Sequence, residues 1–214
     1  MKKTILLFFA IFCCFSQIFA QDAAAKAILD AMSDKYKKMK GYKADFTYQL
    51  SSDAEKVTDN VKGTISVKGD KFRLKVGKQE IFNNGKTVWT YLKDENEVTI
   101  TNPKAEDKEM SSPTEIYSMY KKGFKFLFIE ESKVGNTLCE IIDLTPENKN
   151  LNYFKVRLSI DKATKMIKNW RIFEKTGRKY TYQIENFQAN TDLEDSFFSF
   201  DKSKYPKVEE VDLR

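Results

Sequence analysis

The 214-residue chain contains no histidine. That removes zinc sites built on imidazole, the Ser-His-Asp triad and every scheme that uses His as general base. Cysteine is nearly as scarce. Of the three, Cys13 and Cys14 lie in the first twenty residues, which leaves Cys139 as the single thiol beyond them. A chain that begins after residue 20 can form no internal disulfide, so a packed core must hold it together. Cys139 sits in TLCEIIDL with no basic neighbour, the setting of an inert buried thiol rather than a nucleophile. No glycine-rich phosphate loop is present. The carboxylate pairs Glu130-Glu131 and Glu209-Glu210 are adjacent, so on a strand their side chains point to opposite faces and cannot share a proton-transfer task. Asp94, Glu95 and Glu97 form a polar turn whose ligand pattern is too sparse for a calcium loop. The residues therefore predict neither an enzyme nor a metal or cofactor site.

Only one long apolar run exists, Ile5 to Phe19, preceded by Lys2 and Lys3 and followed by Ala20 and the polar pair Gln21-Asp22. Basic start, apolar middle and small residue at the cut predict a signal peptide over 1–20 that is removed on export. This uncharged run of fifteen residues is short of the roughly 20 a membrane-spanning helix needs. The residues before Cys13 and Cys14 do not match the Leu-small-small-Cys pattern of a lipoprotein. Loss of Lys2 and Lys3 takes the formal charge from +6 to +4, an excess too mild to imply nucleic acid. Residues 21–214 are then expected to form one domain, large enough to bury its own core.

Past the signal the pattern is a helix followed by strands. Residues 22–40 read as a helix with Asp22 as cap. Ile28, Leu29, Met32, Tyr36 and Met39 form one stripe, Lys37, Lys38 and Lys40 crowd the last turn, and Gly41 is placed to end it in the left-handed conformation. Lys43–Leu50, Val61–Lys68 and Lys71–Val76 alternate apolar and polar with period two, so one face of each is buried and the other wet. Glycines at 69, 77 and 85 punctuate an antiparallel meander. In 84–100 both strand faces are partly apolar, Trp89 and Tyr91 on one and Val88 and Leu92 on the other. Ser112-Pro113-Thr114-Glu115 reads as a capping box opening a second helix over about 113–122, with Ile116, Met119 and Tyr120 as its stripe and Gly123 as its stop. Strands resume near 124–131, 137–144, 151–160, 166–174 and 179–188. The stretches 51–60 and 102–112 are the most polar and read as loops.

Many strands with one greasy face must curl or stack to hide it. The fold class is mainly β (α+β): a curved antiparallel sheet forming an incomplete barrel, with two helices available to cover its concave side. Phe46, Tyr48, Phe72 and Trp89 are each satisfied by an ordinary core. Together, a long one-sided sheet and detachable helices can also enclose a cavity for an apolar guest.

Four stretches then carry a resemblance: ILDAMSDKYKKMKGYKADFTYQL (28–50), IFNNGKTVWTYLKDENEVTI (81–100), DLTPENKNLNYFKVRLSID (143–161) and GRKYTYQIENFQANTDLEDSFFSFDKSKYPKVEEVDLR (177–214). In order and spacing they resemble the periplasmic outer-membrane lipoprotein carrier, LolA, of Gram-negative bacteria. The resemblance implies a half-barrel with helices as a lid, and a monomeric periplasmic chaperone without cofactor or catalysis. Such a carrier takes acylated lipoproteins from an ATP-driven extraction complex in the inner membrane, shields their acyl chains, and passes them to an acceptor at the outer membrane. By face and by resemblance, Phe46, Tyr48, Leu50, Phe72, Leu74, Trp89 and Tyr91 are the candidate cavity wall, and Met32, Ile116, Met119 and Tyr120 the candidate lid. The family's Arg-Pro pair, linked to closing the lid, is absent here. The chain reads Val67-Lys68-Gly69-Asp70-Lys71-Phe72-Arg73 instead, and Arg73 is not the positional match. An envelope lipid-binding or sensor module on the same scaffold, or a carrier of free lipid or glycolipid, is the alternative.

Overall fold

The computed structural model describes residues 23–52, 58–103 and 115–214. The expected signal peptide, the Asp22 cap, the middle of the 51–60 loop, most of the 102–112 stretch and residues Ser112, Pro113 and Thr114 of the capping box lie outside the described residues. A helix, α1, covers residues 23–37. Ala25, Ile28, Leu29, Met32 and Tyr36 are its buried stripe, the spacing an amphipathic helix needs to present one face. The Lys38 N–H to Asp34 carbonyl bond (3.1 Å) ends the α pattern, and the Met39 N–H to Tyr36 carbonyl bond (3.2 Å) tightens the final turn. Gly41 is not in the left-handed region. Its role is close approach: a Cβ there would lie 2.9 Å from the Thr191 carbonyl oxygen and 3.0 Å from that of Val67, while its own carbonyl accepts the Thr191 N–H at 3.0 Å.

Twelve strands follow: β1 (Tyr42–Ser52), β2 (Thr58–Lys68), β3 (Lys71–Val76), β4 (Gln79–Asn83), β5 (Val88–Leu92), β6 (Glu97–Thr101), β7 (Phe124–Val134), β8 (Thr137–Pro146), β9 (Tyr153–Asp161), β10 (Ile167–Glu174), β11 (Arg178–Ala189) and β12 (Glu209–Asp212). They form a single open curved sheet in the order β12-β6-β5-β4-β3-β2-β1-β11-β10-β9-β8-β7. Two meanders, β1 to β6 and β7 to β11, are joined along β1 and β11, whose pairing runs from Tyr42 opposite Ala189 to Ser52 opposite Arg178. Gly69, Gly77 and Gly85 all have positive φ at the hairpin turns, where a side chain would be strained. One feature departs from the antiparallel expectation: β12 lies parallel to β6.

Cross-strand register sorts the side chains into two layers. On the inner face the main core joins α1 to Ile142, Leu144, Val156, Leu158 and Ile160 of β8 and β9, and to Tyr42, Ala44, Phe46, Ile65, Val67 and Phe72 of β1 to β3. On the outer face of β4 to β6 a second apolar layer forms. Phe82, Val98 and Ile100 are buried there, as are Leu193, Phe198 and Val208 of the segment that returns after β11. Phe200 meets Phe82 edge-on (5.7 Å) and stacks on Tyr205 (4.5 Å), which packs against Tyr91 (4.6 Å). Lys68 and Lys71 clasp the same segment through Asp195 at 2.9 and 2.6 Å. Those two ammonium groups, Lys71 first, hold the Asp195 carboxyl down at about 2.

The second helix takes a different form from the one its spacing predicts. Glu115–Tyr117 and Met119–Lys121 are two separate 3₁₀ turns. Gly123 follows with positive φ and its carbonyl accepts the Glu147 N–H at 2.8 Å.

Candidate functional site

The inner face divides in two. Over β8 and β9 it is filled by α1. Over β1 to β5 and β10 to β11 the described residues leave it unfilled, and a cavity of about 640 Å³ remains among them, within the range of small-molecule and lipid sites. Its floor is built from rows of side chains running across the strands. One row passes from Trp170 through Tyr182 to Tyr48, another from Ile184 to Phe46, a third through Ala44, Ile65, Leu74, Ile81 and Thr90, and a fourth through Phe72, Asn83, Val88 and Thr101. Trp170 stacks on Tyr182 at 4.7 Å with planes 10° apart, and Tyr182 leans on Tyr48 at 5.1 Å. The Trp170 Nε1 is buried and has no hydrogen-bond partner among the described residues. Asn83, Thr90 and Thr101 add polar groups to this lining beside the tyrosine hydroxyls and the Trp170 indole.

Gly63 of β2 makes room for one wall. It lies opposite Phe46 on one side and Val76 on the other. A Cβ at this position would enter the Phe46 ring and come within 2.7 Å of the Lys75 carbonyl oxygen. The Phe46 ring therefore lies across the neighbouring strand, where any other residue would block it.

The roof is a knot of tyrosines. Tyr117, from the first 3₁₀ turn, stacks on Tyr36 of α1 at 3.8 Å with planes 12° apart, and its hydroxyl bonds that of Tyr42 in β1. Tyr36 meets Tyr42 edge-on at 5.8 Å, and Phe187 stacks on Tyr42 at 5.2 Å. The Tyr36 hydroxyl accepts the Ile167 N–H at 3.2 Å, tying helix to sheet. Burial pushes the phenols of Tyr36, Tyr42 and Tyr117 well up from 10.0, because phenolate is poorly solvated there. Beside this knot the Tyr120 hydroxyl donates to Asp30 of α1 at 2.6 Å.

Of the residues selected by face in the sequence, Phe46, Tyr48, Phe72, Leu74 and Ile116 line the cavity. Leu50 shares the Tyr48 face but lies two residues farther along β1, opposite Tyr180 and Asp59, and is not part of the lining. Trp89 and Tyr91 are on the other face. Their neighbours Val88 and Thr90 point into the cavity, and alternation turns Trp89 and Tyr91 outward beneath the returning segment. Met32 is wholly buried in the α1 core, Met119 packs against that core, and Tyr120 is 4% exposed; none lines the cavity. Tyr36 and Tyr117 do, and Tyr117 is invisible to a stripe drawn with α-helical spacing because the segment is not an α-helix. Trp170, Tyr182, Ile184 and Phe187 also line the cavity, and only the alternation of β10 and β11 could have pointed to them. Arg73 is on the outer face, bonded to Glu80 (2.7 Å) and set between the rings of Phe82 (4.5 Å) and Phe197 (4.7 Å). It grips the returning segment rather than the roof.

Reactive chemistry is absent from this lining. Cys139 is buried elsewhere, and burial pushes its thiol up. Among the described residues no cluster of three or more Cys, Asp or Glu side chains could hold a metal ion. The site offers shape and apolar surface.

A family model described as "Outer membrane lipoprotein carrier protein LolA" matches residues 37–201. No curated protein sequence matches. Among solved structures, an uncharacterized conserved protein from Thermus thermophilus is similar with a TM-score of 0.60 at 14% identity, covering 88% of this chain and 99% of that one. The Mycobacterium tuberculosis lipoprotein LppX is similar with a TM-score of 0.50 at 10% identity, covering 81% and 98%. A LolA superfamily protein from Nitrosomonas europaea gives 0.45 at 10% identity, covering 82% and 97%.

Proposed function

Because this chain belongs to the LolA family of outer membrane lipoprotein carrier proteins, we propose that it binds the acyl chains of lipoproteins in the 640 Å³ cavity and shuttles them through the periplasm from the inner to the outer membrane. The observation that carries this reading is the unfilled half of the inner face. Tyr48, Phe72, Leu74, Ile81 and Ile184 surround space that no described side chain occupies. A void of this size forfeits packing contacts along its apolar walls, which a bound apolar guest would restore.

The energetics suit a carrier. Each buried methylene is worth about 0.8 kcal/mol, so a chain of about 14 carbons brings on the order of 10 kcal/mol, comparable to what holds it in a bilayer. The lining contains no ionised side chain; its polar groups are tyrosine and threonine hydroxyls, one amide and one indole N–H, so no ion pair has to be broken when the guest is handed on. The roof must part for entry, and its side chains from α1 and the 3₁₀ turns are joined to the sheet by hydroxyl contacts rather than by a continuous backbone ladder. The donor is then an ATP-driven extraction complex in the inner membrane, and the recipient an outer-membrane acceptor. The role is binding and transport rather than catalysis.

The two tryptophans supply the test. Trp170 lines the cavity and Trp89 does not. In Trp89→Phe protein, a bromine-labelled acyl chain should quench nearly all emission; in Trp170→Phe protein it should leave emission almost unchanged. Absence of quenching in the first protein overturns acyl binding at this site. Recovery of acylated proteins with the tagged carrier from periplasm supports lipoprotein transport, whereas recovery of free lipid or glycolipid alone favours a lipid carrier or sensor.

A further inference from the structure

Tyr36, Tyr42 and Tyr117 line the large cavity and also a second one of about 270 Å³. Their three rings are the partition between the two spaces. The chemistry changes across it. The small cavity is lined by Ser33, Lys37, Asp70 and Ser118, which supply hydroxyl and ammonium donors and one carboxylate acceptor. Ser33 is wholly buried, and among the described residues its Oγ makes no hydrogen bond within ordinary limits although the Tyr120 hydroxyl is near. A buried polar atom without a partner costs free energy that a bound partner would recover.

The three rings are not equally fixed. Tyr36 stands in a helix and its hydroxyl holds the Ile167 N–H. Tyr42 stands in a strand paired on both sides. Tyr117 belongs to a three-residue turn, and among the described residues its hydroxyl bonds Tyr42 alone. Short 3₁₀ turns are weakly held by their own backbone. Tyr117 is the ring that can leave at least cost.

We propose that the small cavity is a subsite for the ester and amide groups that join acyl chains to their polar head, opened to the large cavity when Tyr117 swings off Tyr36. This rests on the acyl-binding reading above. The apolar tail occupies the large cavity. The carbonyl oxygens of the linkage accept from Ser33, Lys37 and the Tyr42 hydroxyl that Tyr117 releases, and an amide N–H donates to Asp70. Tyr117 thus separates a greasy compartment from a hydrogen-bonding one, and a guest with both kinds of group spans the two.

The test compares monopalmitoylglycerol, which carries the ester head, with hexadecane, which carries none, as displacers of a bromine-labelled acyl chain followed by Trp170 emission. Ser33→Val replaces the hydroxyl that faces the small cavity with methyl groups. It should weaken monopalmitoylglycerol about tenfold, the worth of one such hydrogen bond, and leave hexadecane as it was. Tyr117→Phe keeps the ring but breaks its bond to Tyr42, and should speed entry of monopalmitoylglycerol more than that of hexadecane. Equal effects on both displacers, or none on either, overturn the subsite while leaving the acyl cavity in place. Failure of both to displace the labelled chain from the unaltered protein overturns the acyl cavity itself and the subsite with it. Should Ser33→Val not fold, Lys37→Ala at the exposed rim reads the same difference.

Discussion

At the scale of single residues, Gly63 and Tyr36 are each held to their identity by their immediate neighbours. Gly63 has an ordinary φ, so its requirement is spatial: the Phe46 ring and the Lys75 carbonyl occupy the place a Cβ would take. Gly63→Ala overpacks that spot and should cost about 1–3 kcal/mol, measured by urea unfolding. Pairing it with Phe46→Leu should return part of the loss, since the ring is one of the two obstacles. Tyr36→Phe keeps the stack on Tyr117 but leaves the Ile167 N–H without its acceptor, for a cost of about 1–3 kcal/mol by the same measurement. Individual roles are the least legible part of the sequence. Trp89 and Tyr91 look like cavity wall because both faces of β5 are apolar. Nothing in the local pattern says that the other face is covered by residues about a hundred positions later.

The elements are easier to read, for physical reasons that differ from one to the next. Strands β1, β2 and β3 alternate because one face is wet; β3 keeps the bounds that pattern gives, while β1 runs on to Ser52 and β2 begins at Thr58, both inside the polar stretch that reads as a loop. Helix α1 follows from its stripe. The segment after residue 114 misleads because Ile116, Met119 and Tyr120 satisfy α-helical spacing equally well as residues of two 3₁₀ turns. Strand β12 escapes the pattern: its four residues, Glu209–Asp212, carry three acids and no apolar alternation, and only its parallel pairing with β6 makes it a strand. The returning segment is nonetheless structural. Phe198 is 0% exposed, so Phe198→Ala should cost about 3–5 kcal/mol, measured by urea unfolding, and added binding of a hydrophobic dye would register any loosening of the segment. The Asp195 clasp gives that segment an acid dependence. Its carboxyl titrates near 2 when folded against 3.8 when free, so its contribution is complete above about pH 4 and lost as pH falls toward 2. Resonances of residues 193–198 should shift over that interval, and Asp195→Asn should abolish the shift.

For the whole molecule, the missing histidine becomes a statement about regulation. No imidazole changes charge between pH 5 and 8, so affinity for an acyl chain should be flat across that interval; a step within it would point to a titrating group outside the roof. The alkaline side differs. Tyr36, Tyr42 and Tyr117 titrate well above 10.0 when folded, so their stabilising effect is whole below about pH 10 and is lost as pH rises further, because the unfolded chain releases those protons first. Tyrosinate absorbance should therefore grow together with unfolding rather than ahead of it. The curved one-sided sheet is legible from composition and period, since many half-greasy strands must bend around something. That half of its inner face stays hollow is not, because it depends on where α1 comes to rest. The seam between β1 and β11 adds a matter of timing. Asp45 and Asn186, which bond across it at 2.9 Å, are 141 positions apart, and the hollow is walled from both sides of that joint. A chain whose β11 has not yet docked has half a vessel, so a guest can be taken aboard only once folding has closed that long-range joint.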